Sequence, residues 1–343
     1  MLDVKIADKD LLSHQYLNEL VNQQGLADFK LNANTLSPLE QTDAKNGAPL
    51  SKLIIFTEGL HLQQLQQVSE ALSEVLDIAF FRVIKVAGLQ GFAVSAHVTV
   101  NIKNTINQQL ETVANRFSVE LCLIDKAPEL SKPGLLLMDM DSTVIAVECI
   151  DEIAILAGVG EEVSAVTAQA MQGKLDFAQS LRSRVACLKN ADELILQQVR
   201  TALPLMPGVA NLVSILKSFD WKVAIASGGF SYFADYLQDR LNLDAAVAND
   251  LEIHHNKLTG QVQGAIIDAN AKAETLNTLA EKWSITPEQT IAMGDGANDL
   301  VMMNTAALGV ALHAKPVVRE NADIAIRRGG LDSLLWVLAA SEN

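Results

Sequence analysis

The chain has 343 residues, 49% of them hydrophobic but only 5% aromatic, enough to bury two domain cores built from Leu, Ile, Val and Ala. Its 41 acidic residues against 26 basic ones give a formal charge of −15, which argues against nucleic acid or an anionic membrane as the main partner. Cys122, Cys149 and Cys187 are too scattered for a disulfide framework or a zinc site.

MLDVKIADKD carries charges from its third residue and has no signal-peptide h-region, and no apolar run reaches membrane length. A soluble, cytoplasmic protein is expected. Residues 1 to about 50 are polar, with a helix near Asp10–Gln23 and a loop-like tract over 32–50. From Lys52 the pattern sharpens. Leu53–Phe56 reads as a strand, Leu60, Leu62, Leu65, Val68 and Leu72 as a helix face, and Ile78–Val86 and Phe92–Val100 as two strands. Ile106, Leu110 and Val113 mark a second helix, and Val119–Ile124 a closing strand. The order β-α-β-β-α-β is that of a small ferredoxin-like α+β unit, over residues 1–130, with no catalytic constellation. A regulatory or dimerising module suits it, and a homodimer is compatible with that role.

KAPELSKP, residues 126–133, has turn chemistry, which places a domain boundary there and a second domain over 131–343. Leu135–Asp139, Val223–Ser227, Thr290–Met293, Leu308–Ala311 and Ile324–Ile326 read as short apolar strands. Helices at Val209–Phe219, Phe230–Leu241 and Ala271–Trp283 fit between them, and Leu251–Gly264 reads as a hairpin turning at His255-Asn256. This is an open, mostly parallel α/β sheet, interrupted by a largely helical insertion at about 149–205. Ligands in such sheets bind beyond the carboxyl ends of the strands, so the residues just after each strand carry the information.

After the first strand come Asp139 and Asp141, two carboxylates that extended geometry would point the same way. They are tolerated there only with a cation or a proton between them. After the second come Ser227-Gly228-Gly229, read as a turn at a helix N-terminus that on its own favours simple capping and that also suits an anion. After the third comes Gly294-Asp295-Gly296-Ala297-Asn298-Asp299, denser in acid than capping requires. Hard oxygen donors from Asp139, Asp141 and Asp295 suit Mg²⁺, which commonly keeps waters and a substrate phosphate in its shell. Asp139 can then act as a nucleophile on phosphorus, and Asp141 as the acid and base that serve it. Lys272 opens a helix, against the dipole, where a phosphate would suit it. In the insertion Asp176 and Gln179 have capping-box spacing, and Arg184 falls within the apolar stripe Phe177, Leu181, Leu188. Arg184 and Glu148 over one phosphate site would recognise a carboxylate and an ammonium.

The four motifs D-x-D-S-T at 139–143, Ser227-Gly228-Gly229, Lys272 and G-D-G-x-N-D at 294–299 resemble, in order, those of the haloacid-dehalogenase-like phosphatases. Within that superfamily DSTVIAVECIDEIA, MQGKLDFAQSLRSRV and GDGAND resemble segments of the phosphoserine phosphatase family. The resemblance implies a Rossmann-like sheet with a helical cap, and hydrolysis of O-phospho-L-serine to L-serine and phosphate through an aspartyl-phosphate. That reaction is the last step of serine biosynthesis. It also implies Mg²⁺ held by the side chains of Asp139 and Asp295 and the carbonyl of Asp141, with Asp299 in support. Phosphate would be bound by Ser227, Gly228, Lys272 and Asn298, and the serine moiety by Glu148 and Arg184. The N-terminal unit is similar to ACT-like domains. Two other readings stand beside this one: a phosphotransferase or phosphatase for another small phosphoester, and an amino-acid sensor acting through the N-terminal unit.

Overall fold

The computed structural model describes residues 4–5, 14–32, 35–39 and 51–342. The chain forms two compact units, one of the residues up to Ser131 together with those from Asp323 onward, the other Lys132–Ala322. No helix among the described residues is long and apolar enough to cross a membrane.

The first unit begins with β1 (Val4–Lys5), α1 (His14–Asn22), β2 (Asp28–Asn32) and β3 (Thr35–Pro38). It continues through β4 (Ser51–Phe56), α2 (Leu62–Leu72), β5 (Leu76–Ile84), β6 (Ala93–Val100), α3 (Ile106–Phe117) and β7 (Glu120–Ile124). The strands form one antiparallel sheet in the order β1-β3-β2-β5-β6-β4-β7. Alternation fixes its faces. Val94, Ala96 and Val98 of β6 join Leu53 and Ile55 of β4 in a core with the buried Leu62, Leu65, Val68 and Leu72 of α2. The stretch read as loop-like from residue 32 holds β3, and β2 lies just before it. These strands are too short to show alternation, and pairing with β5, where Phe29 stacks on Phe81 at 5.3 Å between ring centroids, defines them. Of the helix expected near Asp10–Gln23, the described part is α1; residues 10–13 and 40–50 lie outside the described residues.

The second unit opens with β8 (Leu135–Met138), followed by four helices, α4 (Cys149–Ala157), α5 (Gly160–Met171), α6 (Phe177–Cys187) and α7 (Leu194–Ala202). Then come α8 (Val209–Ser218), β9 (Lys222–Phe230), α9 (Ser231–Leu241), β10 (Ala245–His254) and β11 (Lys257–Gln263). The rest is α10 (Ala269–Lys282), β12 (Thr290–Gly294), α11 (Leu300–Thr305), β13 (Leu308–Leu312) and α12 (Pro316–Glu320). Within this unit the strand order is β11-β10-β9-β8-β12-β13, parallel from β10 to β13 with an antiparallel β10–β11 hairpin at the edge. His255 and Asn256 turn that hairpin with φ of 51° and 60°, the left-handed pair a tight two-residue loop requires. Every residue of β8 is fully buried, as an unbroken Leu-Leu-Leu-Met run demands, and β8 lies between β9 and β12. Whatever follows β8 therefore stands between the ends of β9 and β12.

The residues from Asp323 onward supply β14 (Ile324–Ile326) and α13 (Leu334–Ser341). Lys52 on β4 donates to the carbonyl of Ala340 at 2.7 Å, and Cys122 on β7 to that of Ala325 at 3.7 Å. Glu120 accepts the main-chain N–H groups of Arg327 and Gly329, so this tail folds as part of the first unit.

Candidate active site

Asp139 follows β8 directly, and its main-chain N–H donates to the carbonyl of Met293 at 2.9 Å, continuing the ladder to β12. The residue is 6% exposed. Oδ1 accepts from the N–H of Met140 at 2.7 Å, and Oδ2 pairs with Lys272 Nζ at 2.8 Å. Lys272 sits in the first turn of α10, whose N-cap Asp268 accepts from Asn270 and Ala271 at 3.0 Å each. Its ammonium also pairs with Asp299 Oδ1 at 2.7 Å. Burial works against that charge, but Asp139 and Asp299 outweigh it and the pKa is raised, so Lys272 is a fixed cation. Asp139, with which it pairs, lines the cavity of the site.

Asp141, two residues on, meets a different environment. Burial, then the charges of Glu148 and Asp139, push its carboxyl up to about 8, against two opposing hydrogen bonds from Cys149, one from its thiol and one from its N–H at 3.2 Å. It is therefore largely protonated at neutral pH. Beside it Ser142 takes a left-handed φ of 56° and donates Oγ–H to Glu148 Oε1 at 2.8 Å, tying the loop to the start of α4. Thr143, fully buried, donates to Asp295 Oδ1 at 3.2 Å. Neither hydroxyl was singled out from sequence, because each acts through a carboxylate from elsewhere in the chain.

The Ser227-Gly228-Gly229 segment is not a turn at a helix N-terminus, as its two glycines suggest. β9 runs through it to Phe230, which is the N-cap of α9. Val247 of β10 pairs with Ala226 and Asn249 with Phe230, so Ser227, Gly228 and Gly229 stand opposite Ala248 alone. The segment bulges out of the ladder. Ser227 Oγ accepts from the N–H of Gly229 at 2.9 Å, and a Cβ on Gly229 would come within 2.7 Å of Asp141 Oδ2. Glycine is required there by close approach.

Beyond β12 the G-D-G-A-N-D loop folds back on itself. Gly296 N–H donates to Asp299 Oδ2 at 3.0 Å, and a Cβ on Gly294 would lie 2.4 Å from Asp299 Cγ. Asp139, Asp295 and Asp299 each offer an oxygen within 4.8 Å of the others. Burial, then Asp139 and Glu148, push Asp295 up to about 6, the mark of carboxylates short of positive charge. Among the described residues, Lys272 is the cation paired with Asp139 and Asp299, and hard oxygen donors at that spacing fit a metal ion.

A cavity of about 240 Å³ opens in front of Asp139 and Asp141. Glu148, Ser227, Gly228, Asp295 and Asn298 line it, with an apolar wall of Ile150, Phe177, Leu181 and Phe230. Arg184 reaches it from α6, which starts at the capping box of Asp176 and Gln179, with bonds of 2.7 and 3.2 Å. Its Nε is buried and has no hydrogen-bond partner, and Arg182, one face round, is exposed. A buried guanidinium N–H with nothing to donate to, on the wall of a cavity, suits an anionic group of a ligand.

Residues 134–307 match the model of the haloacid dehalogenase-like hydrolase family. A phosphoserine phosphatase of Vibrio cholerae is 51% identical over 265 residues, covering 77% of this chain and 81% of that protein. The unliganded crystal structure of a probable phosphoserine phosphatase from Vibrio cholerae superposes with a TM-score of 0.73 at 46% identity, covering 85% of this chain and 87% of that one. A phospho-aspartyl intermediate analogue of phosphoserine phosphatase matches with a TM-score of 0.57 at 42% identity, covering 60% of this chain and 99% of that one. The chain belongs to the haloacid dehalogenase-like hydrolases and, within them, to the phosphoserine phosphatases.

Proposed function

We propose that the chain hydrolyses O-phospho-L-serine to L-serine and phosphate, with Asp139 as nucleophile and Asp141 as general acid and base. The observation that carries this is the pairing of unlike aspartates on one cavity. Asp139 pairs with the Lys272 ammonium at 2.8 Å, while Asp141, pushed up to about 8, keeps its proton. In the first step a carboxylate oxygen of Asp139 attacks phosphorus, the ester P–O bond breaks, and Asp141 gives its proton to the departing serine oxygen. In the second, Asp141 takes a proton from water, which attacks phosphorus and releases phosphate, restoring Asp139.

Ser227, the N–H of Gly228, Lys272 and Asn298 are assigned to the phosphoryl group. Arg184 is assigned to the substrate carboxylate, which would give its buried Nε a partner, and Glu148 to the ammonium. Mg²⁺ would be held by the side chains of Asp139 and Asp295 and the carbonyl of Asp141, with Asp299 in support. When bound it offsets negative charge on the phosphoryl oxygens. Helices α4 to α7, at about 149–205, are assigned as a cap that shields the cavity from water, since Phe177, Leu181 and Arg184 all come from α6. The first unit is assigned an ACT-like regulatory or dimerising role on its βαββαβ order.

Steady-state phosphate release over phosphoserine, phosphothreonine, phosphoethanolamine and glycerol phosphate tests the substrate. We expect kcat/KM for phosphoserine to exceed the others by at least about tenfold. A better rate on any of the other three would overturn the assignment.

A further inference from the structure

Asn249 lies on β10, one strand away from the residues that line the cavity, and is 1% exposed. Its amide makes two hydrogen bonds. Nδ2 donates to the carbonyl of Gly228 at 2.9 Å, and Oδ1 accepts from the main-chain N–H of Ile267 at 2.9 Å. The first bond falls where β9 has left its ladder, with Ser227, Gly228 and Gly229 opposite Ala248 alone. A bulged segment loses its strand partners, and a buried carbonyl left without a donor is costly. The amide of Asn249 takes the place of the missing ladder donor and thereby sets the shape of the bulge. The second bond holds the segment that leads into α10, immediately before the N-cap Asp268 and five residues before Lys272. A short neutral side chain with a donor on one side and an acceptor on the other bridges these segments, and asparagine is the residue that offers both on two carbons.

We propose that Asn249 is a positioning residue for the phosphoryl group. It fixes the Ser227–Gly228 bulge relative to the start of α10, so that Ser227 Oγ, the N–H of Gly228 and the ammonium of Lys272 keep one geometry around Asp139. This rests on the phosphatase reading above and adds a residue that never touches the substrate.

Asn249→Asp keeps the acceptor for Ile267 and the side-chain shape but sets an oxygen against the carbonyl of Gly228, whereas Asn249→Ala removes both bonds. The full chain is titrated with inorganic phosphate at saturating Mg²⁺, and separately with Mg²⁺ alone, by calorimetry, with kcat and KM for phosphoserine measured beside them. The expected result is a tenfold or greater rise in the phosphate Kd and in KM for both variants, with Mg²⁺ affinity within twofold of wild type. A role in folding alone would lower thermal stability and leave the phosphate affinity of the folded protein intact. The proposal is overturned by an Asn249→Asp protein with wild-type phosphate affinity, or by equal loss of phosphate and Mg²⁺ affinity. If Asn249→Ala does not fold, Asn249→Asp decides. A wild type that neither binds phosphate nor hydrolyses phosphoserine would refute the parent reading instead.

Discussion

Met140 alone separates Asp139 from Asp141, yet the fold gives the two carboxylates unlike surroundings. Lys272 lies 2.8 Å from Asp139, and Asp141 has burial and two neighbouring carboxylates with only the thiol and N–H of Cys149 to offset them. Lys272 is central to this division, being buried between Asp139 and Asp299. Removing one partner of a buried ion pair leaves the other uncompensated, so Lys272→Met is expected to cost about 3 kcal/mol in urea unfolding and to abolish phosphate release. Arg184 makes a sharper test of recognition. Its buried, unpartnered Nε predicts that Arg184→Ala lowers kcat/KM for phosphoserine roughly 10- to 100-fold, the worth of a charge-assisted hydrogen bond. Phosphoethanolamine lacks the carboxylate, so its kcat/KM should hardly change. Equal losses on both substrates would contradict the assignment.

At the scale of elements, the site is made by three strand ends in register. β8 pairs with β9 on one side and β12 on the other, so Asp139, the Ser227 bulge and the Gly294–Asp299 loop converge. The convergence leaves little room. Gly294→Ala would bring a Cβ to 2.4 Å from Asp299 Cγ, inside a loop that cannot yield without moving Asp295 and Lys272. We expect kcat/KM to fall by about 100-fold or more, in line with an ångström-scale misplacement of catalytic groups, with circular dichroism unchanged. Much of this was legible in sequence, because strand ends in a parallel sheet advertise themselves as apolar runs closed by acid, hydroxyl or glycine. The bulge was not. Ser-Gly-Gly after an apolar run carries turn chemistry, and only the longer partner strand β10 shows that β9 continues through it. Asn249 was equally silent, since a single asparagine in a strand has no pattern to break and its two partners lie 21 and 18 residues away.

For the whole molecule, distance along the chain hides what folds together. The segment from Asp323 onward follows the catalytic strands in sequence, yet Lys52, Glu120 and Cys122 hold it within the first unit. The face of that unit's sheet that bears His97 also carries a pH dependence. His97 stacks on Phe80 with ring centroids 4.1 Å apart and is depressed to about 4, first by burial, then by the cations Arg82 and Lys52, with Asp28 opposing. Between that value and the ordinary 6.5 the unfolded chain binds a proton that the folded one refuses. The stability due to neutral His97 is thus present above about pH 6.5 and lost as the pH falls toward 4. From pH 7 to pH 5 this should amount to about 1–2 kcal/mol of unfolding free energy. His97→Gln should flatten that slope, and denaturation at the two pH values would show it. The proposed hydrolysis as a whole turns on one carboxylate, Asp139. The most direct measurement is phosphate release from O-phospho-L-serine, with and without Mg²⁺, by wild type and by Asp139→Asn, an isosteric change that keeps the amide-sized group beside Lys272. Nucleophilic attack by Asp139 predicts Mg²⁺-dependent turnover in the wild type and none above background in Asp139→Asn, whereas comparable turnover in both would contradict it.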